Sequence, residues 1–226
     1  TNQQSEEASV TPAQFLLQLD LLHREEGAGL RTELAAVMAA LQPAQEAGDW
    51  VEGWRTPRQY LVPRQRPEPC DLWGVVQGQG TTLVVELEED CTAYWPEVGG
   101  REQYGEVEVA CLSRQRLGSY SLRRLRVGER EVALLQLVTP PAPLPLLSLA
   151  RAARSAGGRE GRALVLGQGA GLYTVLDSCL RQLRARATVG VATMLRKAAA
   201  AGRALVTREE ELSLLLTTLG EAVCAG

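Results

Sequence analysis

The stretch of residues 163–177 constrains the fold of this chain more than any other part of its sequence. It begins with the apolar run Ala163–Leu166, continues through the alternating glycines Gly167, Gly169 and Gly171, and ends in an amphipathic segment. This order predicts a strand, a tight turn and a helix, because glycine adopts the backbone conformations that such a turn requires. Backbone amides at the start of the helix would face an anion. The turn contains no Cys, Ser, Lys or Arg that could act on a phosphate.

Strand and helix patterns elsewhere in the chain predict a mixed α/β domain. Three strand candidates in the middle of the chain are expected to pair as antiparallel hairpins, with a turn at Gly128-Glu129-Arg130 between the last two. A β-branched apolar run predicts one more strand before them, and helical spacing predicts four helices. The strands are expected at residues 81–87, 105–112, 119–127 and 131–138, and the helices at residues 70–76, 146–153, 189–201 and 209–223.

The N-terminal residues 1–45 are expected to form linker and packing helices, and residues 46–226 the domain itself. Thr11-Pro12 is a typical helix start, since proline fits the first helical position. The glycines Gly27 and Gly29 predict a break between this helix and a second one. Further along, the proline-rich residues 139–145 predict a loop.

Composition excludes several classes of function. His23 is the single histidine, so Ser-His-Asp or Cys-His catalysis and multi-histidine metal sites are not expected. The five cysteines are odd in number and have no CxxC spacing, which favours reduced thiols over a zinc site or a disulfide framework. The net charge of −3 argues against general nucleic-acid binding. No cofactor and no metal are expected.

The glycine turn supports one hypothesis by itself, a nucleotide-binding α/β domain that uses Gly167, Gly169 and Gly171 to hold a phosphate. Three observations weigh against it. The glycine spacing falls short of GxGxxG, and the next acid after Asp177 is Glu209, too far along the chain to hold a ribose. No second parallel β-α-β unit is evident in the sequence, since antiparallel hairpins fill the middle of the chain.

A series of segments resembles, in the correct order, the motifs of the protein tyrosine phosphatases. The sharpest is Tyr94-Trp95-Pro96, which follows Cys91 as in “CxxYWP”. The resemblance runs from about residue 46 to residue 223. The other segments are residues 53–62 (similar to “DGYRxxxxYIxTQGP”), 71–73 (“DFW”), 103–105 (“YG”), 130–137 (“REVxQFxF”), 176–183 (the helix after the catalytic loop) and 205–212 (“MVQTxEQY”).

The resemblance also locates the catalytic positions of that family, and none of them carries the required residue. In that family an HCxxGxxR loop supplies a thiolate nucleophile and an arginine. Here the nucleophile position falls within residues 164–167, and we assign it to Gly167. The arginine position falls on Ala170 or Leu172. Cys179 lies on the following helix and is expected to be a packed thiol. The general-acid Asp of “WPD” falls on Pro141.

The remaining functional groups of the family are also missing. The two glutamines that position water correspond to Thr207 and Glu211, and the substrate-binding segment “NRYxD” is missing before residue 46. The resemblance therefore implies a catalytically inactive domain rather than an enzyme, because loss of the nucleophile alone removes the covalent route.

The resemblance further implies a highly twisted mixed sheet flanked by helices and a cytosolic position. Divergence of this extent is typical of the second, membrane-distal domain of a tandem receptor-type phosphatase, for which the osteotesticular type is one candidate. Such a domain is expected to regulate or bind a protein partner, either an adjacent active phosphatase domain or a receptor dimer. Any membrane attachment would then lie outside the present sequence.

Overall fold

Eight strands and six helices form the part of the chain that the computed structural model describes, residues 9–42, 48–157 and 162–225 without the side chains of Glu25 and Glu26. They follow in the order α1 (Pro12–Ala39), β1 (Trp50–Val51), β2 (Tyr60–Leu61), α2 (Pro69–Gln79), β3 (Leu83–Glu86), β4 (Arg101–Tyr104), β5 (Val107–Leu117), β6 (Tyr120–Val127), β7 (Arg130–Leu137), α3 (Pro143–Gly157), β8 (Ala163–Leu166), α4 (Ala170–Arg186), α5 (Val191–Ala200) and α6 (Glu209–Cys224).

All eight strands belong to one mixed sheet in the order β1-β2-β8-β3-β7-β6-β5-β4. The neighbours β2, β8, β3 and β7 are parallel, whereas β4 to β7 pair as antiparallel hairpins. The expected α/β fold with a mixed sheet and flanking helices is thus confirmed. The expectation that the chain has no second parallel β-α-β unit was wrong. Both β2-α2-β3 and β7-α3-β8 are crossovers between parallel strands. The two-residue strand β2 gave too little sequence pattern to reveal its parallel pairing with β8.

Two apolar layers cover the sheet, one on each face. The central strands β3 and β8 are buried at every position, as parallel strands covered on both faces must be. On one face, Trp73 of α2 packs against Tyr94, and its indole N–H donates to the Tyr94 carbonyl at 2.7 Å. The two tryptophan-containing segments that carry the family resemblance therefore meet in space. Helix α1 and helices α3 to α6 cover the other face.

The N-terminal region forms one helix, so the expected break into two helices was wrong. Helix α1 runs from Pro12 to Ala39, and Thr11 caps its start through a reciprocal pair of hydrogen bonds with Gln14. Gly27 has a φ of 79° within this helix, so the glycine distorts the backbone without ending the hydrogen-bonded ladder. The boundary expected between residues 45 and 46 lies outside the described residues.

Two other local expectations need correction. Helix α3 begins at Pro143, so the last three residues of the expected proline-rich loop are helical, consistent with the fit of proline in a first helical turn. Strand β4 was not anticipated, because its exposed polar residues show no strand pattern. The exposed His23 is on α1, and its Nε2 lies 3.3 Å from the Ser213 hydroxyl of α6.

Candidate functional site

The glycine turn between β8 and α4 has the conformation expected from its sequence. Gly167 and Gly169 have φ values of 95° and 88°, which L side chains rarely adopt. The Ala170 N–H donates to the Gly167 carbonyl at 3.1 Å, and the Tyr173 N–H donates to the Gly169 carbonyl at 2.9 Å. These bonds close the turn directly onto the first turn of α4.

The surroundings of two turn glycines leave no room for a side chain. A Cβ atom at Gly167 would lie 2.9 Å from Glu86 Oε1 and 3.2 Å from the Glu88 amide nitrogen. A Cβ atom at Gly171 would lie 2.0 Å from the backbone carbonyl oxygen of Leu205. Glycine at these two positions therefore allows neighbouring segments to pack closely against the turn, in addition to providing the turn conformation.

A carboxylate of the chain itself is bound at the turn. Glu88 Oε1 accepts a hydrogen bond from the Gln168 N–H at 3.1 Å. The other oxygen of Glu88 lies 3.0 Å from Arg66 Nη2. An amide of the turn, which a phosphate could otherwise use, is thus already paired with an anionic group.

A second carboxylate lies beneath the first and is fully buried. Arg66 donates to both oxygens of Glu86, at 2.7 and 2.9 Å, and the Tyr94 hydroxyl donates to Glu86 Oε2 at 3.0 Å. Burial, together with the adjacent Glu86 carboxylate, raises the pKa of Tyr94 well above its usual value, so the phenol stays protonated and can donate. In this Arg66–Glu86–Glu88 cluster, the guanidinium pairs with the buried Glu86 carboxylate. Burial of that carboxylate without a cationic partner would cost free energy.

Five of the six positions assigned to the family's catalytic residues lie around this turn, in two neighbouring clefts. Pro141, Leu172 and Glu211 line the first cleft, of about 330 Å³, together with Gln168 and Gly169. This cleft is mainly apolar. The assignment of these positions to the general acid, the arginine and a glutamine remains a prediction.

The second cleft, of about 370 Å³, adjoins the same turn from the other side. Gly167 and Ala170 line it, with Arg64 and Arg203 from two other loops. Arg203 is buried, and its guanidinium donates to the Val62 carbonyl. Two cationic groups therefore adjoin the turn although the turn itself has none.

Thr207 and Glu211, assigned to the positions of the glutamines, interact with each other. The Thr207 N–H donates to Glu211 Oε2 at 3.3 Å, and Arg208 donates to Glu211 Oε1 at 3.1 Å. Glu211 thus stabilises the N-terminus of α6 through its charge and these hydrogen bonds.

The thiols near the sheet lack the properties of a nucleophile. Burial is the main cause that raises the pKa of Cys179 to about 12 and that of Cys91 to about 11. Cys179 is buried on α4, in agreement with a packed thiol. Within the described ranges, no group of three His, Cys, Asp or Glu side chains is placed to hold a metal ion.

Sequence reasoning missed the residues that determine the chemistry of this turn. Glu86 ends the apolar run of β3, and a carboxylate in a buried strand was the available signal that a cationic partner lies nearby. Arg66 and Arg203 come from loops without regular pattern, so no periodicity could place them beside the turn.

No family model matches the chain. Individual relatives do match most of it. The chain is 28% identical over 205 residues (79% of the chain) to the tyrosine-protein phosphatase Lar-like of Caenorhabditis elegans and 28% over 169 residues (65%) to tyrosine-protein phosphatase 99A of Drosophila melanogaster. It is 26% identical over 170 residues (63%) to receptor-type tyrosine-protein phosphatase F of Danio rerio.

The matched segments cover 9%, 13% and 9% of these three relatives, so the chain spans only a small part of their length. None of the helices in the described ranges combines the length and the apolar character needed to cross a bilayer. The ordered motifs, the mixed sheet and the relatives agree, and together they support a domain of the protein tyrosine phosphatase family.

Proposed function

We propose that this domain does not hydrolyse phosphotyrosine and serves as a regulatory or protein-binding module. We further propose that it lies in the cytosol beside an active phosphatase domain of a receptor. The names of several relatives describe receptor-type phosphatases, and this supports the receptor context.

The observation that carries the proposal is the hydrogen bond between Glu88 and the Gln168 amide at the turn. Phosphotyrosine hydrolysis in this family requires a thiolate and a guanidinium that hold a phosphate over the turn. Here the turn supplies neither group, and the carboxylate occupies one of its amides. Gly167 also faces Glu86, so a phosphate dianion would approach two carboxylates that share the single guanidinium of Arg66.

The catalytic part of the proposal is tested by measuring hydrolysis of p-nitrophenyl phosphate and of phosphotyrosine peptides. We expect no turnover above the buffer rate, with an active tyrosine phosphatase domain as the positive control. Cys179→Ser is the matched variant, because it removes the thiol on the helix after the turn without adding charge. Hydrolysis that copurifies with the domain through two different affinity tags would overturn the proposal, and its loss in Cys179→Ser would assign it to this thiol.

The regulatory part requires a partner. We expect the catalytic phosphatase domain of the same receptor to bind this domain in a pull-down with purified proteins and to show a changed rate when it is bound. A coding sequence upstream that contains a membrane span and a domain with an intact HCxxGxxR loop would support the tandem arrangement. No binding and no rate change would contradict it.

The nucleotide-binding alternative has one observation in its favour, the cleft in which Arg64 and Arg203 adjoin the glycine turn. Guanidinium groups beside a helix N-terminus suit an anionic ligand. Calorimetry with mononucleotides and dinucleotides separates the two functions. Saturable binding that Arg64→Ala weakens would favour the nucleotide hypothesis, and absence of binding at millimolar ligand would end it.

A further inference from the structure

Strand β5 extends beyond its neighbour β4 and leaves an open edge. β4 pairs only with residues 107–110 of β5, and the segment before β4 bonds to Cys111 through the Gly99 N–H and the Gly100 carbonyl. β6, on the opposite side, pairs with β5 as far as Leu117. Residues 113–117, which we call the open edge, therefore have no strand partner on their outer side in the described part of the chain. Unpaired backbone groups on such an edge are a template for another strand.

The same hairpin carries a one-sided positive charge. Residues 109–128 contain five arginines and no acid, although the whole chain has a net charge of −3. Arg123 is buried, stacks on the Trp95 ring at 4.4 Å and donates to Gln136 at 3.0 Å. The other four arginines are exposed and form no ion pair with any residue the structure describes. These four are Arg114, Arg116, Arg124 and Arg126.

The register of the hairpin concentrates positive charge at the open edge. Arg114 lies directly opposite Arg123, and Arg116 lies two residues further along the same face. Burial, and after it repulsion by the adjacent Arg114, lowers the pKa of Arg123. Like charges in a cross-strand pair destabilise a sheet, and an added carboxylate between them would relieve the repulsion.

Apolar side chains mark both ends of the open edge. Leu112 and Leu117 are 39% and 43% exposed. A ligand strand laid along residues 113–117 could cover apolar surface at each end while its backbone pairs with the edge.

We propose that the open edge binds an acidic, extended segment of another protein by strand addition. The inference specifies the partner chemistry of the protein-binding role proposed above and rests on that role. A polypeptide is favoured over a nucleic acid because only a polypeptide offers backbone N–H and C=O groups that match the edge. Carboxylates of the segment would face Arg114 and Arg116.

The experiment uses the whole chain and a fluorescent peptide of about ten residues in which Glu and Val alternate, long enough to span a typical strand. Fluorescence anisotropy measures binding, and hydrogen–deuterium exchange locates it. We expect saturable binding and new protection of amides in residues 113–117. Arg114→Glu with Arg116→Glu is expected to weaken binding at least about tenfold, because two attractive charge contacts become repulsive.

Two matched controls separate strand addition from general charge attraction. Arg151→Glu with Arg184→Glu applies the same charge change to exposed residues of α3 and α4, and it should leave the affinity within about twofold. A peptide with methylated backbone nitrogens keeps its charges but loses its donors, and it should not bind.

Equal binding of the methylated peptide, equal binding by both double variants, or complete competition by single-stranded DNA would overturn the proposal. Protection of residues 113–117 in the peptide-free protein at raised concentration would also overturn it, since a second copy would then fill the edge. Hydrolysis of aryl phosphates in the earlier assay would contradict the catalytic proposal alone, so the two failures are distinguishable.

Discussion

The carboxylate of Glu88 accepts a hydrogen bond from the backbone N–H of Gln168, 3.1 Å away, at the turn that we assign to the phosphate-binding loop of this family. The same carboxylate pairs with Arg66, which also neutralises the buried Glu86. The turn is thus stabilised by an anion that belongs to the fold.

Replacement of Glu88 by Ala is expected to lower the free energy of unfolding by about 1 kcal/mol, the value of one partly exposed charge-assisted hydrogen bond. Urea denaturation measures the change. Glu89→Ala is the matched control, because the neighbouring Glu89 side chain is exposed, and it should be within about 0.5 kcal/mol of the original protein. Equal values for the two variants would show that the Glu88 contact does not stabilise the turn.

Restoring a cysteine in the turn is not expected to restore catalysis. Gly167→Cys should destabilise the domain by about 2–4 kcal/mol, since it combines an unfavourable φ with crowding against Glu86 and Glu88. Gly118→Cys separates the two effects. Gly118 has a φ of 65° and open space around it, so we expect a cost of only about 1 kcal/mol. Thermal unfolding and p-nitrophenyl phosphate hydrolysis test both variants, and measurable turnover by Gly167→Cys would contradict the prediction.

The close approach of α4 to the loop before α6 depends on Gly171. Gly171→Ala is expected to cost more than about 3 kcal/mol, because its Cβ would overlap the Leu205 carbonyl at 2.0 Å and neither backbone can yield easily. Gly74→Ala, in α2 with nothing within 4 Å, should instead stabilise the domain by about 0.5–1 kcal/mol. Urea denaturation of the two variants should give changes of opposite sign, and a neutral Gly171→Ala would show that the contact is loose.

Thiol reactivity should follow burial. With a pKa of about 11, the Cys91 thiol is ionised in only about one molecule in a thousand at pH 8. The ionised fraction of Cys179, with a pKa of about 12, is smaller still. Iodoacetamide is therefore expected to label the exposed Cys70 and Cys224 of the native protein, and the others only after unfolding. Peptide mass spectrometry measures the labelling. Rapid modification of Cys179 in the native state would contradict the packed position of this thiol.

Alkaline pH should weaken the fold. The folded pKa of Cys179 lies above its ordinary value of 9.0, so the stability it contributes is fully present below pH 9 and is lost as the pH rises towards 12. Burial raises the pKa of Tyr60 and Tyr173 well above 10.0 and acts in the same direction. We expect the urea midpoint to fall steadily above pH 9. The fall should be shallower for Cys179→Ala, and an identical slope would contradict the assignment to this thiol.

The sequence predicted the elements that have strong periodicity and failed where long-range pairing decides. The apolar β3 and the turn before α4 followed from local patterns, and the motifs around Trp73 and Tyr94 indicated the family that the relatives support. The parallel crossovers were missed because the two-residue strand β2 has no periodicity to detect. The cluster of Arg66, Glu86 and Glu88 could not be foreseen, since the loop that carries Arg66 has no regular pattern.

The packing of α1 sets the smallest unit that can fold. Phe15, Leu30 and Val37 are buried in the same core layer as α6, and Arg31 of α1 lies 3.5 Å from Glu209. Burial of each of these apolar side chains contributes about 1.5–3 kcal/mol, so the three together approach the stability margin of about 5–15 kcal/mol that is typical of a domain. A truncation that begins at the family resemblance near residue 46 would therefore uncover the helical face of the core, so a stable domain requires Pro12–Ala39.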